Sequence, residues 1–276
     1  MKKPIMAIMY DFDKTLSVQD MQNYDFIPAL GMTPAEFWGA TDSFAKKHGI
    51  EKILSYMYMM ILKTREKGID MTEEWLNSLG RNIKFYSGVT TWFHRINEYG
   101  LAHGLQVEHY LISSGTKEIV DGCSIAKEFK AIYGCQFLFD DKTKLPIWPK
   151  LAINYTQKTQ YFFRVSKGAI DISEDAEVNA KTPNRRVPYK NMVYLGDGMT
   201  DVPIMILVRQ NGGHSIAVYK PGEKDKVIDL FNDERVDYVC RADYSAGSPL
   251  ESVLKLIIDS IYINNALDRK RETLSK

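Results

Sequence analysis

The chain has 276 residues, which is enough for one large domain or for a core domain that carries a smaller one. Its 45% hydrophobic and 26% charged residues are ordinary for a globular protein. The formal net charge of +1 gives no reason to expect nucleic acid or an anionic membrane as the main partner.

The first predicted element is a strand at Ile5–Tyr10, a short apolar run closed by a polar cluster, as in a strand buried on both faces of a parallel sheet. Residues 18–86 differ, because their apolar residues recur with helical spacing and Thr33 and Thr72 are suitable N-caps. The stretches with this spacing are residues 34–38, 53–63 and 72–79. We interpret residues 18–86 as an inserted, all-helical cap.

Two later segments repeat the design of the first strand. His109–Ile112 precedes Ser113-Ser114-Gly115, and Met192–Leu195 precedes Gly196-Asp197-Gly198. Further predicted elements are helices at 116–130, 202–209 and 249–263, short strands at 215–219 and 238–240, and a disordered charged tail at 268–276. Strand, polar loop and helix, three times over, is typical of a doubly wound, Rossmann-like α/β fold with a parallel sheet.

The domain organisation that follows is an α/β core formed by residues 1–17 and 87–276, interrupted by the cap. Cys123, Cys135 and Cys240 are an odd number of cysteines at spacings that match no metal motif, which favours a reducing compartment. The apolar run near the start is too short for the core of a signal peptide, and no window approaches the roughly 20 apolar residues of a membrane span. We therefore expect a soluble, cytoplasmic protein without nucleic acid or membrane partners.

Acidic residues follow two of the predicted strands, and hydroxyl groups follow the third. Ligands of an open parallel sheet bind beyond the carboxyl ends of its strands, so Asp11, Asp13, Asp197 and Asp201 are expected to converge there with a serine. Two carboxylates about 4 Å apart repel by roughly 4 kcal/mol at an effective dielectric near 20, and a divalent cation removes this cost. Oxygen ligands favour Mg²⁺, which also shares phosphate oxygens, so the pattern indicates phosphoryl transfer.

These motifs resemble those of the haloacid dehalogenase-like (HAD) superfamily of aspartate-nucleophile phosphatases. Ile8–Leu16, with the sequence IMYDFDKTL, resembles motif one, Ile112–Gly115 resembles motif two, and Gly196–Asp201 resembles motif four. A helical insertion directly after motif one is similar to the C1-type cap of the phosphoserine phosphatase branch. The resemblance implies an Mg²⁺-dependent phosphomonoester hydrolase that acts on a small phosphorylated metabolite.

The resemblance also implies roles for individual residues. Asp11 would attack phosphorus to form an aspartyl-phosphate, and Asp13 would protonate the leaving oxygen and later activate water. Asp11, Asp13 (through its backbone carbonyl) and Asp197 would hold the metal, and Asp201 would orient its neighbours. Ser113 would bind a phosphoryl oxygen, with help from backbone amides at the start of the following helix.

The remaining phosphate-binding residues are less sharply defined by the motifs. Ser114 is the rival of Ser113, and Gly115 completes that triplet. For the lysine of motif three, Lys158 is favoured because Lys158–Phe163 resembles the start of the expected helix, and Lys167 and Lys181 are the alternatives.

Two departures from the phosphoserine phosphatase pattern leave the substrate open. Ser114-Gly115 replaces a Gly-Gly pair, and Asp20 stands near the position of a glutamate that binds the substrate's amino group. A phosphotransferase or mutase of the same superfamily is one alternative function, and a catalytically weak module that binds a phosphate ligand is another.

Overall fold

The computed structural model describes residues 3–183 and 185–275, and within them seven strands form one sheet in the order β4-β3-β2-β1-β5-β6-β7. The strands are β1 (Ile5–Tyr10), β2 (Gln106–Thr116), β3 (Ala131–Phe139), β4 (Pro146–Leu151), β5 (Met192–Gly196), β6 (His214–Tyr219) and β7 (Tyr238–Arg241). All neighbouring pairs are parallel except β3 and β4, which are antiparallel. This is the α/β Rossmann-like sheet that the sequence predicts.

Helices cover the sheet and fill the segment between β1 and the rest of the core. They are α1 (Phe26–Ala29), α2 (Pro34–His48), α3 (Lys52–Glu66), α4 (Glu73–Leu79), α5 (Val89–Ala102), α6 (Lys117–Asp121), α7 (Lys158–Lys167), α8 (Asp175–Asn179), α9 (Val202–Gln210), α10 (Asp225–Asn232) and α11 (Pro249–Leu274). Thr33 and Thr72 cap α2 and α4 as predicted. In the described ranges, no helix is both long enough and apolar enough to cross a membrane.

β1 lies in the middle of the sheet, which explains its apolar composition. Met6 to Tyr10 are fully buried, and the strand pairs in parallel with β2 on one side and β5 on the other. Tyr10 lies opposite Leu111 of β2 and Leu195 of β5. The residues that follow these positions therefore meet at the same edge of the sheet.

The helix predicted at 116–130 is wrong. α6 ends at Asp121, and a short 3₁₀ turn at Ala126–Glu128 precedes β3. The cause is a close approach of the insertion: a Cβ at Gly122 would lie 1.7 Å from the carbonyl oxygen of Asn77, at the end of α4. Only glycine fits at this position, where α6 ends.

The tail is also different from the prediction, because α11 continues to Leu274 instead of ending near residue 263. Its last turns are exposed and rich in charged residues with good helix propensity, so the absence of apolar periodicity does not end the helix. The limits of the cap at residues 18 and 86 stay a prediction.

Candidate active site

The carboxyl ends of β1 and β5 place two of the acidic residues side by side. Asp11 directly follows β1, and its backbone N–H donates to the carbonyl oxygen of Leu195 at 2.9 Å. Asp197 directly follows the last residue of β5. Asp11 and Asp197 therefore approach each other because their strands are neighbours in the sheet.

A tight loop after β1 positions Asp13. The backbone N–H groups of Thr15, Leu16 and Ser17 all donate to the carbonyl oxygen of Phe12, so the chain folds closely around that peptide. The Asp13 carboxylate accepts a hydrogen bond of 2.7 Å from the backbone N–H of Met21, the first residue of a 3₁₀ turn in the insertion. The side chain of Asp13 is thus fixed by the chain that leaves for the cap.

Lys158 is the first residue of α7, and its side chain is buried. Its Nζ lies 2.7 Å from Oδ1 of Asp11 and 2.7 Å from Oδ1 of Asp201. Of the two alternative lysines, Lys167 donates to backbone carbonyls, including that of Val178 at 2.6 Å, and Lys181 is exposed. Among the three candidates it is Lys158 that reaches Asp11.

The carboxylate of Asp201 accepts three hydrogen bonds from residues of the site. Its Oδ1 accepts hydrogen bonds from Lys158 and from the hydroxyl of Tyr194 at 2.7 Å, and its Oδ2 accepts one from the backbone N–H of Asp197 at 3.2 Å. A Cβ at Gly196 would lie 2.4 Å from that Oδ2, so only glycine fits at the end of β5.

Asp11, Asp197 and Asp201 together form a candidate metal site. One carboxylate oxygen from each lies within 4.8 Å of the others. The Asp13 carboxylate, bound to Met21, is outside this group. The predicted ligands were the carboxylates of Asp11 and Asp197 and the backbone carbonyl of Asp13, so the structure adds the carboxylate of Asp201 to the groups that can reach a cation.

The pKa values of these carboxyl groups reflect their burial close to one another. Burial raises the pKa of Asp11 to about 6, although the nearby Lys158 ammonium lowers it, and burial together with Asp11 and Asp201 raises the pKa of Asp197 to about 8. Burial, Asp20 and Asp11 raise the pKa of Asp13. Burial lowers the pKa of Lys158, but Asp11 and Asp201 outweigh it and leave a net increase. A divalent cation would favour the ionised carboxylates, and this oxygen-only donor set fits one.

The motif-two residues lie inside β2 and not in a turn after it. β2 runs on to Thr116, with an irregular register between Ile112 and Thr116. Ser113 is buried, and its Oγ accepts a hydrogen bond of 2.9 Å from the backbone N–H of Gly115. Ser114 is the serine that borders the cavity described next.

These groups surround a cavity of about 300 Å³ at the carboxyl edge of the sheet. It is lined by Asp11, Asp13, Lys14, Asp20, Ser114, Lys158, Asp197, Gly198, Met199 and Thr200. Asp20 forms an ion pair of 2.8 Å with Lys14. The cavity thus brings Asp11, Asp13 and Asp197 together with Lys158 and Ser114.

Solved structures share this architecture. A HAD family hydrolase from Salmonella enterica serovar Typhi is 18% identical, covering 92% of this chain and 72% of its own, with a TM-score of 0.54. A phosphoserine phosphatase in its apo form is 14% identical, covering 91% and 98%, with a TM-score of 0.56. A probable phosphoserine phosphatase from Vibrio cholerae is 12% identical, covering 96% and 69%, with a TM-score of 0.57. The chain therefore shares the α/β fold of these HAD family structures.

Sequence relatives add little to this fold assignment. An uncharacterised protein of Borreliella burgdorferi is 26% identical over 277 aligned residues, which cover 90% of this chain and 95% of that protein. No protein-family model matches the chain.

Two tyrosines complete the surroundings of the site in this HAD-like fold. Tyr56 of α3 donates a hydrogen bond of 2.7 Å to the carbonyl oxygen of Ser114, so the insertion contacts the core beside the cavity. Tyr194 binds Asp201 from within β5. Tyr194 could not be found from the sequence, because a tyrosine in an apolar strand does not reveal which group its hydroxyl contacts.

Proposed function

We propose that this chain is a Mg²⁺-dependent phosphomonoester hydrolase that forms an aspartyl-phosphate on Asp11. The observation that supports it most strongly is the buried Lys158 ammonium, which lies 2.7 Å from both Asp11 and Asp201 and so holds the Asp11 carboxylate ionised. An ionised carboxylate is the nucleophile that phosphoryl transfer to Asp11 requires. The HAD-like fold, shared with phosphoserine phosphatases, supports the same reaction class.

Each residue then has a defined part in the reaction. Asp11 attacks phosphorus, and the Lys158 ammonium offsets the charge that gathers on the phosphoryl oxygens. Asp13 donates a proton to the leaving oxygen, and in the second step it takes a proton from the attacking water. A raised pKa for the Asp13 carboxyl favours its starting as the acid. Ser114, with Ser113 as the alternative, donates a hydrogen bond to a phosphoryl oxygen.

The residues that would hold the metal are Asp11, Asp197 and the backbone carbonyl of Asp13, with Asp201 beside them. A bound Mg²⁺ supplies positive charge that lets the phosphate dianion approach the Asp11 carboxylate. Asp201 also fixes the Asp197 backbone and the Lys158 ammonium, so its carboxylate positions two other groups of the site.

The insertion, residues 18–86, is proposed to act as a lid over a small phosphorylated metabolite. Tyr56 and Met21 bind core residues at the cavity, and their release would open it. Closing the lid would exclude bulk water before attack.

The test is release of inorganic phosphate from an aryl phosphate and from a panel of metabolite phosphates, with Mg²⁺ or with chelator. We expect Mg²⁺-dependent turnover that falls by at least about 10³-fold in Asp11→Asn, because the nucleophile is lost. Asp42→Asn is the matched control, since Asp42 is an exposed residue of α2 paired with Lys52. Turnover that survives Asp11→Asn at the wild-type rate would contradict the proposal.

A further inference from the structure

A second cavity, of about 310 Å³, lies beside the candidate active site. It is lined by Lys14, Val18, Gln19, Tyr86, Asp197, Val218, Tyr219, Lys220, Glu223, Lys226 and Val227. The two cavities have Lys14 and Asp197 in common, so they meet at these two side chains. The mechanism proposed above uses none of the groups on the far side of the second cavity.

This cavity is placed where the chain leaves the sheet for the insertion and returns. The backbone N–H of Val18 donates to the carbonyl oxygen of Lys84, and that of Tyr86 donates to the carbonyl oxygen of Leu16, each at 3.0 Å. On the other side the wall is formed by the end of β6, the loop that follows it and the first turn of α10. A ligand here therefore touches both connections of the insertion.

Tyr86 brings an unused hydrogen-bond donor to the cavity. Its side chain is 9% exposed, and its hydroxyl is buried without a hydrogen-bond partner in the described part of the chain. A buried hydroxyl left unpaired has lost its hydrogen bonds to water without replacement, and an accepting ligand oxygen would restore one. Burial, Asp197 and Glu223 raise the pKa of Tyr86 to about 12, so the hydroxyl keeps its proton at neutral pH.

Three lysines and two acidic residues line the cavity, and one of the lysines, Lys14, is paired with Asp20. Lys226 is paired with Glu223 at 2.9 Å, and Asp197 belongs to the candidate metal site. Lys220 is exposed and forms no ion pair with any residue that the structure describes, which leaves its ammonium available. Lys226 lies in the first turn of α10, so its ammonium and the positive end of the helix dipole both attract an anion to this part of the cavity.

We propose that the second cavity binds a phosphate or carboxylate group, which accepts a hydrogen bond from the Tyr86 hydroxyl and is neutralised by Lys220. Val18, Val218 and Val227 supply apolar wall for the carbon skeleton that carries the anion. The anion is either a second acidic group of the substrate or a free acid that binds at the base of the insertion. The first source rests on the proposed phosphatase function, and the second does not.

Calorimetric titration with inorganic phosphate in the presence of chelator tests the site without any turnover. Chelator removes the divalent cation that would hold phosphate in the first cavity. We expect one phosphate to bind, with affinity reduced about tenfold or more in Lys220→Gln and about two- to tenfold in Tyr86→Phe. Lys224→Gln, a neighbouring lysine outside the cavity, is the control and should bind as wild type. Absence of binding, or binding unchanged in both cavity variants, would overturn the proposal.

Steady-state kinetics of wild type and Lys220→Gln then distinguishes the two sources. If the substrate supplies the anion, Lys220→Gln raises KM about tenfold for phosphomonoesters with a second acidic group and leaves KM for an aryl phosphate unchanged. If a free acid supplies it, added malonate changes aryl phosphate turnover in wild type and not in Lys220→Gln. Kinetics unchanged in both arms would contradict a role for this cavity beside the active site.

Discussion

Replacing Lys158 by methionine removes the positive charge that two buried carboxylates share. The Lys158 ammonium lies 2.7 Å from an oxygen of Asp11 and 2.7 Å from an oxygen of Asp201, and oxygens of these two carboxylates lie within 4.8 Å of each other. Two unit charges at that distance repel by about 3.5 kcal/mol at an effective dielectric near 20. Breaking a buried ion pair by removing one partner costs about 3–5 kcal/mol, so we expect Lys158→Met to lower the free energy of unfolding by about 3–5 kcal/mol.

The size of this loss should depend on pH and on metal. Without Lys158 the folded-state pKa of Asp11, already raised to about 6, rises further above its unfolded value, so the loss is greatest above that pKa and shrinks as pH falls and the carboxyl takes up a proton. Mg²⁺ should restore more stability to Lys158→Met than to wild type, because the variant lacks the competing ammonium.

The assay is urea unfolding followed by the fluorescence of the four tryptophans, at several pH values, with chelator or with Mg²⁺. Lys167→Met is the matched control on the same helix, since the Lys167 ammonium binds only backbone carbonyls within the described residues. Its loss should stay below about 1.5 kcal/mol. A Lys158→Met loss no greater than that of the control would refute the electrostatic reasoning.

Three further outcomes are expected. Burial lowers the pKa of His109 to about 3, below its unfolded value near 6.5. The unfolded state therefore binds more protons, and the free energy of unfolding falls as pH drops below about 6.5. Urea unfolding should show a loss of about 2 kcal/mol by pH 5 in wild type, and this loss should be absent in His109→Gln. Gly196→Ala would place a Cβ 2.4 Å from Asp201 and should cut phosphate release by about 10²-fold while thermal melting still shows a folded protein; near-normal turnover would contradict this contact. Tyr194→Phe should lower the free energy of unfolding in urea by about 1.5–3 kcal/mol, because it removes a hydrogen bond to the buried Asp201 carboxylate. The control is Tyr58→Phe, since Tyr58 is exposed, and a Tyr194→Phe loss smaller than that of the control would contradict this prediction.

The central strands were predictable because strands buried on both faces consist almost entirely of apolar residues. β1 and β5 are apolar runs covered on both faces, and an aspartate directly follows each of them at the carboxyl edge of the sheet. Neighbouring parallel strands bring those residues together whatever the details of the helices. The approach of Asp11 and Asp197 therefore follows from sequence order and strand pairing alone.

The β3–β4 hairpin was not predictable in the same way. β4 contains Pro146 and Pro149, and prolines normally argue against a strand. These two prolines are tolerated because β4 lies at the edge of the sheet. α6 ends at Asp121, and at the next residue, Gly122, the backbone of α4 lies too close for any side chain. Such contacts between distant parts of the chain leave no local periodicity to detect.

The choice between the two motif-two serines also depends on tertiary structure. Successive residues of a strand point to opposite faces, so a one-residue change in where the irregular segment of β2 begins exchanges Ser113 and Ser114. The structure lines the cavity with Ser114. Which hydroxyl binds the phosphoryl group stays a prediction, and comparison of Ser113→Ala with Ser114→Ala in phosphate release would decide it.

Direct detection of the phosphorylated Asp11 carboxylate tests the central claim most closely. Asp13→Asn, mixed with Mg²⁺ and an aryl phosphate and quenched in acid, should accumulate the intermediate, because an aryl leaving group needs no proton whereas the second step has lost the base that activates water. Peptide mass spectrometry should then find one added phosphoryl group on Asp11, and none in the Asp11→Asn Asp13→Asn double variant. A phosphoryl group on another residue, or none in a protein whose wild type turns over, would contradict Asp11 as the nucleophile.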